Sequence, residues 1–325
     1  MTPLLSVRGL RVSLPTASGL VTVVDGIDYD VDTGQVFGIA GESGSGKTIS
    51  VLALLELLPP GAVVEGTAVF EGRDLLHLPI REMRDVRGKE IAMVFQDPLT
   101  SLHPMLTIGH QLTEHVVFHL RVGRPAARTR AIELLEDVRI PDPRGALDAY
   151  PHQFSGGMRQ RIAIAIALAC APRILIADEP TTALDVTVQA GILRLLDRLR
   201  HQSRLSVIMI THDLGVMSSI ADQLTVMYAG RIAESGPTAS VLGAPRHPYT
   251  AGLLAALPHP EAPEDTPLVS IRGAPPSPQL RPSGCAFNPR CHFAVESCSV
   301  DVPDLVSVGE GRRLACPVDP LAIPA

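Results

Sequence analysis

The chain has 325 residues, 46% of them hydrophobic, which is material for one large domain with an appendage or for two modest domains. Aromatic residues make up 3% and tryptophan is absent, so the core must be built from Leu, Ile, Val and Ala. A net charge of −6 with no basic run argues against free nucleic acid as a partner, because phosphate-backbone binding needs clustered Lys and Arg.

The N-terminus, MTPLLSVRGLRVSL, has no charged start followed by a continuous apolar stretch, so no signal peptide is expected. Two antiparallel strands are expected first, near residues 4–14 and 21–31, joined by a Pro/Ser/Gly turn. In Ile27-Asp28-Tyr29-Asp30-Val31 the apolar residues alternate, as in a strand with one buried face. The short apolar runs at 36–40, 91–95, 174–177 and 207–210 are continuous instead, which predicts parallel strands covered on both faces. Helical stretches separate them, so the pattern is α/β with an antiparallel edge.

Between residues 97 and 150 the strands stop, and 107–120 and 125–138 read as helices, the second opening on a proline suited to a first turn. The longest apolar run, 162–171, is about half of what a bilayer needs and reads as a buried helix. A cytoplasmic protein is expected, and any membrane-spanning helices must come from other chains. After Pro258 prolines crowd the chain to Pro282, and four of the five cysteines follow, which predicts a linker and a small tail module.

Gly41-Glu42-Ser43-Gly44-Ser45-Gly46-Lys47-Thr48 fits the phosphate-loop pattern of Gly, four residues, then Gly-Lys-Ser/Thr. A Gly/Ser loop matching by chance would lack its flanks; here an apolar strand precedes it and an apolar helix, near 49–58, follows. Glycines let the backbone curl so that successive N–H groups point at phosphate oxygens, and the helix N-terminus adds its dipole. Lys47 should reach the β- and γ-phosphates, and Thr48 should give a hydroxyl to Mg²⁺. The run Ile174-Leu175-Ile176-Ala177 ends in Asp178-Glu179. Such a pair alone is as often a helix cap or a solvated corner. Beside a phosphate loop it predicts Asp178 as a Mg²⁺ partner and Glu179 as the group that orients or deprotonates the attacking water.

Phe154-Ser155-Gly156-Gly157-Met158-Arg159-Gln160-Arg161 resembles the signature motif of ABC ATPases, which lies just before Walker B in that family, as here. Gln96, at the end of a predicted strand, is similar to the Q-loop glutamine, Ala183-Leu184-Asp185 to the D-loop, and His212 to the switch histidine. The resemblance implies a P-loop ABC ATPase fold: a RecA-like core with an antiparallel β subdomain and a helical subdomain. It implies an ATPase domain over 1–257, its helical subdomain at about 97–160, and an extension over 258–325. It implies catalysis by Glu179, His212 and Gln96, and Mg²⁺ held by Thr48, Gln96 and Asp178. ATP would lie on 41–48, with Ser155, Gly156, Gly157 and Asp185 completing the site of a partner domain. One phosphate loop and one signature in the chain call for a second ABC ATPase subunit, identical or homologous.

Arg246-His247-Pro248-Tyr249-Thr250-Ala251-Gly252-Leu253-Leu254, and Tyr150-Pro151-His152-Gln153-Phe154 before the signature, resemble segments of oligopeptide, dipeptide and nickel importer ATPases. The first reads physically as a loop-to-helix junction with no ligand role. The implied function is to energise uptake of peptides or a similar solute, with an importer of nickel or glycosides, or an exporter, as the alternatives. The implied partners are two transmembrane permease subunits and, indirectly, an extracytoplasmic solute-binding protein, at the cytoplasmic face of the membrane. One departure is that ABC ATPases stack adenine on an early aromatic residue. Here the only aromatic before Gln35 is Tyr29, whose alternation with Ile27 and Val31 turns it inward, leaving Leu14 or Ser18 near the base.

Cys285, Cys291, Cys298 and Cys316 are separated by five, six and seventeen residues. A disulfide is not expected in a reducing compartment. Zinc knuckles favour shorter spacings, while four thiolates without histidine also suit an iron–sulfur cluster, and unliganded thiols remain a third reading. The family resemblance implies a 4Fe–4S cluster. Nothing near these cysteines in sequence resembles a nucleotide contact, so the tail reads as structural. Cys170, in the apolar run, reads as a small core residue. His115 and His119 are four apart on a predicted helix without a third ligand nearby, which reads as a solvated face.

Overall fold

The computed structural model describes residues 2–97, 101–182, 185–257 and 270–320. In chain order the strands are β1 (Leu5–Thr16), β2 (Gly19–Val31), β3 (Val36–Ala40), β4 (Val63–Phe70), β5 (Arg73–Asp74) and β6 (Ile91–Val94). They continue with β7 (Ile174–Asp178), β8 (Ser206–Ile210), β9 (Gln223–Tyr228), β10 (Arg231–Pro237), β11 (Val306–Ser307) and β12 (Arg313–Leu314). The chain forms two compact units, one built mainly from His77–Ile210 and the other from Leu5–Asp30, Phe37–Leu76 and Thr211–Ala325.

In the first unit β6, β7 and β8 lie side by side in parallel, Ile91 opposite Ile174 and Ile174 opposite Ser206. Every residue of β7 and β8 is buried, which is why their sequences are continuous rather than alternating. Each large aliphatic side chain so covered contributes about 1.5–3 kcal/mol. The helical insertion forms as expected. Thr107 caps helix Ile108–Leu120 by accepting from the His110 amide, and Arg124–Asp137 carries its proline in the first turn. Helix Gly156–Ala167 carries the buried Ile162 and Ile164, and Cys170 just beyond it is a core residue 7% exposed.

In the second unit β1 runs antiparallel to β4 in a four-stranded sheet ordered β2-β1-β4-β5. Tyr29 is buried and stacks on Phe37 with ring centroids 5.0 Å apart, so it belongs to the core, as its alternation predicts. β3 pairs in parallel with β9, and β9 turns back antiparallel into β10. The tail joins this sheet, since β12 pairs with β10, Glu234 opposite Leu314, and β11 pairs with β12. Glu234, 1% exposed, accepts from Arg312 at 2.5 Å and from the amides of Arg246 and His247 at 3.1 and 3.0 Å, so the buried charge is fully served. Among the described residues no helix is long and apolar enough to cross a membrane.

Candidate nucleotide site

The second unit holds the phosphate loop. β3 runs out at Ala40 and the chain turns at Gly41, φ 147°, where a Cβ would stand 2.2 Å from the Met227 carbonyl oxygen; only glycine fits. Helix Lys47–Leu54 starts where the pattern requires, with Thr48 in its first turn. The Lys47 side chain is buried, and its Nζ donates to the carbonyls of Gly41 and Glu42 at 2.8 and 2.9 Å, which places the ammonium inside the curl of the loop. The Ser45 hydroxyl is buried without a hydrogen-bond partner among the described residues. Such an orphan fits a loop whose bonds are completed by phosphate oxygens. His212 belongs to this unit too, one residue past Thr211, whose amide donates to the Ile39 carbonyl of β3 at 3.3 Å.

The 246–254 segment does more than link a loop to a helix. His247 caps helix Pro248–Ala255, its Nδ1 accepting from the Tyr249 amide at 3.0 Å, and burial pushes its pKa down to about 4, so the ring is neutral. Tyr249 is fully buried against Tyr228 and Phe287, and its hydroxyl accepts from the Glu42 amide at 2.8 Å. The segment thus braces the phosphate loop. Tyr249→Phe should cost about 1–2 kcal/mol, because the Glu42 N–H loses its acceptor. Urea unfolding should show the midpoint fall with an unchanged slope.

The first unit holds the acidic pair. Asp178, 4% exposed, is the last residue of β7. Glu179 follows at φ 47°, a left-handed conformation that costs a non-glycine residue free energy and takes the chain out of the strand direction. Its amide donates to the Ile210 carbonyl at 2.8 Å. Gln96 Nε2 donates to Glu179 Oε2 at 3.0 Å and Thr182 Oγ1 donates to the same oxygen at 2.8 Å, so the predicted Q-loop glutamine and predicted base are brought together. Ser155 caps helix Gly156–Ala167, its hydroxyl accepting from the Met158 amide at 3.4 Å, which puts Gly156 and Gly157 at the positive end of the helix. A Cβ on Gly157 would stand 2.6 Å from Val188, so a side chain there would force the two helices apart. Asp185 caps helix Val186–Ser203 through the Val188 amide at 2.9 Å; Ala183 and Leu184 lie outside the described residues.

In the tail, Cys285, Cys291, Cys298 and Cys316 line one small cavity with His247, and none is in a disulfide. Burial pushes the Cys285, Cys291 and Cys316 thiols up, while backbone hydrogen bonds from Phe287, Phe293 and Val318 favour the thiolates. Among the described residues no group of three or more His, Cys, Asp or Glu is placed to hold a metal ion. That includes His115 and His119, whose rings merely stack at 6.4 Å. The tail departs from its purely structural expectation in one respect. Arg290, next to Cys291, forms a bidentate pair with Glu42 of the phosphate loop at 2.6 and 3.0 Å. Neither residue signals this in sequence; a buried arginine demands a carboxylate, but not which one.

A phosphate loop, a strand-end Asp-Glu pair joined by a glutamine, and a Ser-Gly-Gly helix start define an ATP-binding cassette. Residues 24–182 match the ABC transporter family, and residues 233–298 match the oligopeptide/dipeptide transporter C-terminal region. The chain is 46% identical over 316 residues to the oligopeptide transport ATP-binding protein of Haemophilus influenzae, covering 97% of each chain. It is likewise 46% identical over 314 residues to the dipeptide transport ATP-binding protein of Escherichia coli, covering 96% of each. A solved ATP-binding cassette in a dimeric post-hydrolysis state bound to ADP and Pi superposes with a TM-score of 0.65 at 26% identity, over 72% of this chain and 98% of that one. The chain belongs to the ABC transporter ATPases, in the branch of oligopeptide and dipeptide ATP-binding proteins.

Proposed function

We propose that this chain is the ATP-hydrolysing subunit of an ABC importer that energises uptake of peptides. The observation that carries this reading is the pair of matches together, an ATPase cassette and an oligopeptide/dipeptide C-terminal region in one chain. The relatives named above carry peptide transport in their names over nearly the full length of both chains.

In this reading each half has its own roles. Lys47 and backbone N–H groups of 43–48 hold the β- and γ-phosphates, with the Ser45 hydroxyl as a further donor. Thr48 in one unit, and Asp178 and Gln96 in the other, carry the oxygen groups that suit Mg²⁺, an ion that neutralises charge on phosphates. Glu179, its carboxylate steadied by Gln96 and Thr182, takes the proton of the attacking water, and His212 contacts the γ-phosphate. Ser155, Gly156 and Gly157 offer a second anion site for ATP bound by a second ATPase subunit, with Asp185 beside it, so that two nucleotides join the pair. Hydrolysis then releases it.

Two permease subunits would dock on the helical insertion, placing this chain at the cytoplasmic face of the membrane. An open groove of about 670 Å³ there is lined by the apolar Val117, Phe118 and Leu147 and by the charged Glu114, Arg128 and Asp148, and Val117 and Phe118 are exposed. The loop over residues 97–104 would border a groove for a permease helix, and residues 98–100 of it lie outside the described residues. The division into an ATPase domain over 1–257 and an extension over 258–325 is part of the same reading.

A 4Fe–4S cluster on the four tail cysteines belongs to the same proposal, resting on the family resemblance of the sequence. A cubane takes one thiolate at each of four separate irons; the four cysteines line one cavity, and backbone N–H groups reach the sulfurs of Cys285, Cys291 and Cys316. It would tie together a segment with little apolar surface to bury.

The test is co-purification with candidate permease subunits, followed by transport in proteoliposomes. ATP-dependent uptake of di- or oligopeptides is the expected result. Uptake of nickel or a glycoside with no peptide uptake would overturn the solute assignment and leave the ATPase intact.

A further inference from the structure

Arg290 closes the short turn Asn288–Arg290 and immediately precedes Cys291. Its side chain is 6% exposed, and all five of its N–H donors find acceptors. Nε donates to the Arg272 carbonyl at 2.8 Å. Nη1 donates to Glu42 Oε2 at 2.6 Å and to the Tyr228 hydroxyl at 3.3 Å. Nη2 donates to Glu42 Oε1 at 3.0 Å and to the Gly273 carbonyl at 3.3 Å. The rings of Tyr228 and Phe287 flank the guanidinium with centroids 5.8 and 5.9 Å away. The guanidinium therefore has one position available to it, and Glu42 is fixed against it.

Glu42 is held at three points. Its carboxylate meets Arg290, its amide donates to Tyr249, and its carbonyl receives Lys47 Nζ. A second tail arginine supports the other flank of the loop: Arg281 donates to Asp25 at 3.0 Å and to the Thr22 carbonyl at 3.3 Å. The Asp25 amide donates to the Gly230 carbonyl, and the Gly230 amide in turn donates to the Ser45 carbonyl at 2.9 Å. The tail thus reaches the phosphate loop from both ends.

A loop with glycines at 41, 44 and 46 has wide conformational freedom. Unless it is ordered beforehand, its ordering opposes nucleotide binding. We propose that Arg290 is a positioning residue for ATP: by fixing Glu42 it holds the loop in its phosphate-binding conformation, so that the cysteine-bearing tail sets nucleotide affinity. This rests on the reading of 41–48 as the ATP site. The loop's N–H groups grip the phosphates in the ground state and the transition state alike. Loosening them therefore raises KM and leaves kcat nearly unchanged.

The test uses the full chain, with ATP and Mg²⁺, read by isothermal titration and steady-state ATPase kinetics. Glu42→Gln keeps the side chain's shape but removes the charge, and Arg290→Met keeps bulk between the two rings. Each should weaken ATP binding about tenfold with kcat within about twofold, the loss expected for one bidentate charged contact. Arg290→Lys should recover part of the loss, and the double variant should be no weaker than the worse single one. If Arg290→Met does not fold, Glu42→Gln decides alone. ATP affinity of Glu42→Gln within twofold of the unsubstituted chain would overturn the proposal, as would fully additive losses in the double variant. Lys47→Ala separates the two readings, because a Lys47→Ala chain that still bound ATP normally would instead sink the assignment of the loop itself.

Discussion

Glu179→Gln should bind ATP with nearly unchanged affinity and lose hydrolysis by about a hundred- to ten-thousand-fold, the contribution typical of a positioned general base. The substitution keeps the size and the planar end of the side chain, so the Thr182 hydroxyl retains an acceptor. What disappears is the carboxylate that can take a proton from water. Binding depends on the phosphate loop, which the substitution does not touch. Phosphate release gives the rate, and gel filtration with ATP and Mg²⁺ should show a slowly dissociating pair of ATPase subunits, because the nucleotides that join them persist. Turnover within a few-fold of the unsubstituted chain would show that another group activates the water.

The parts of this site that were legible in sequence are those whose chemistry demands particular residues at short range. A strand buried on both faces must be apolar at every position, so β3, β6, β7 and β8 fall within a residue or two of their expected ends. The phosphate loop and the signature helix start are equally local, as glycine, lysine and serine at fixed spacing specify their own backbone. The β9–β10 hairpin has no counterpart among the expected elements, because Thr225 interrupts the apolar run at 224–228; Ala229 and Gly230, at φ 46° and 82°, make its turn. β11 and β12, at two residues each, are too short to carry a period. Glu42 shows the deeper limit. In sequence it is a variable position of the loop pattern, and its anchors Tyr249 and Arg290 lie 207 and 248 residues away. Such contacts are set by tertiary placement and leave no local trace.

Anaerobically purified protein should be brown, with about four iron and four acid-labile sulfide per chain, the content of one cubane. Metal binding would deprotonate the four tail cysteines, three of whose pKa values burial pushes up, so insertion of a cluster would be coupled to the folding of the tail. Cys291→Ser should therefore lose most of the iron and loosen the tail to proteases. Because Arg290 is the adjacent residue, the loss should not stay local. The guanidinium that fixes Glu42 is carried on the same turn as the ligand, so ATP affinity should fall toward that of Arg290→Met while Lys47 still allows binding. Cys170→Ser provides the control, since that thiol lies in the core of the other unit and should leave the iron content unchanged. Colourless anaerobic protein with one zinc and no iron would overturn the cluster, without touching the ATPase. Iron loss in Cys291→Ser with unchanged ATP affinity would show instead that the turn carrying Arg290 keeps its place without the cluster, its five hydrogen bonds sufficing to hold it.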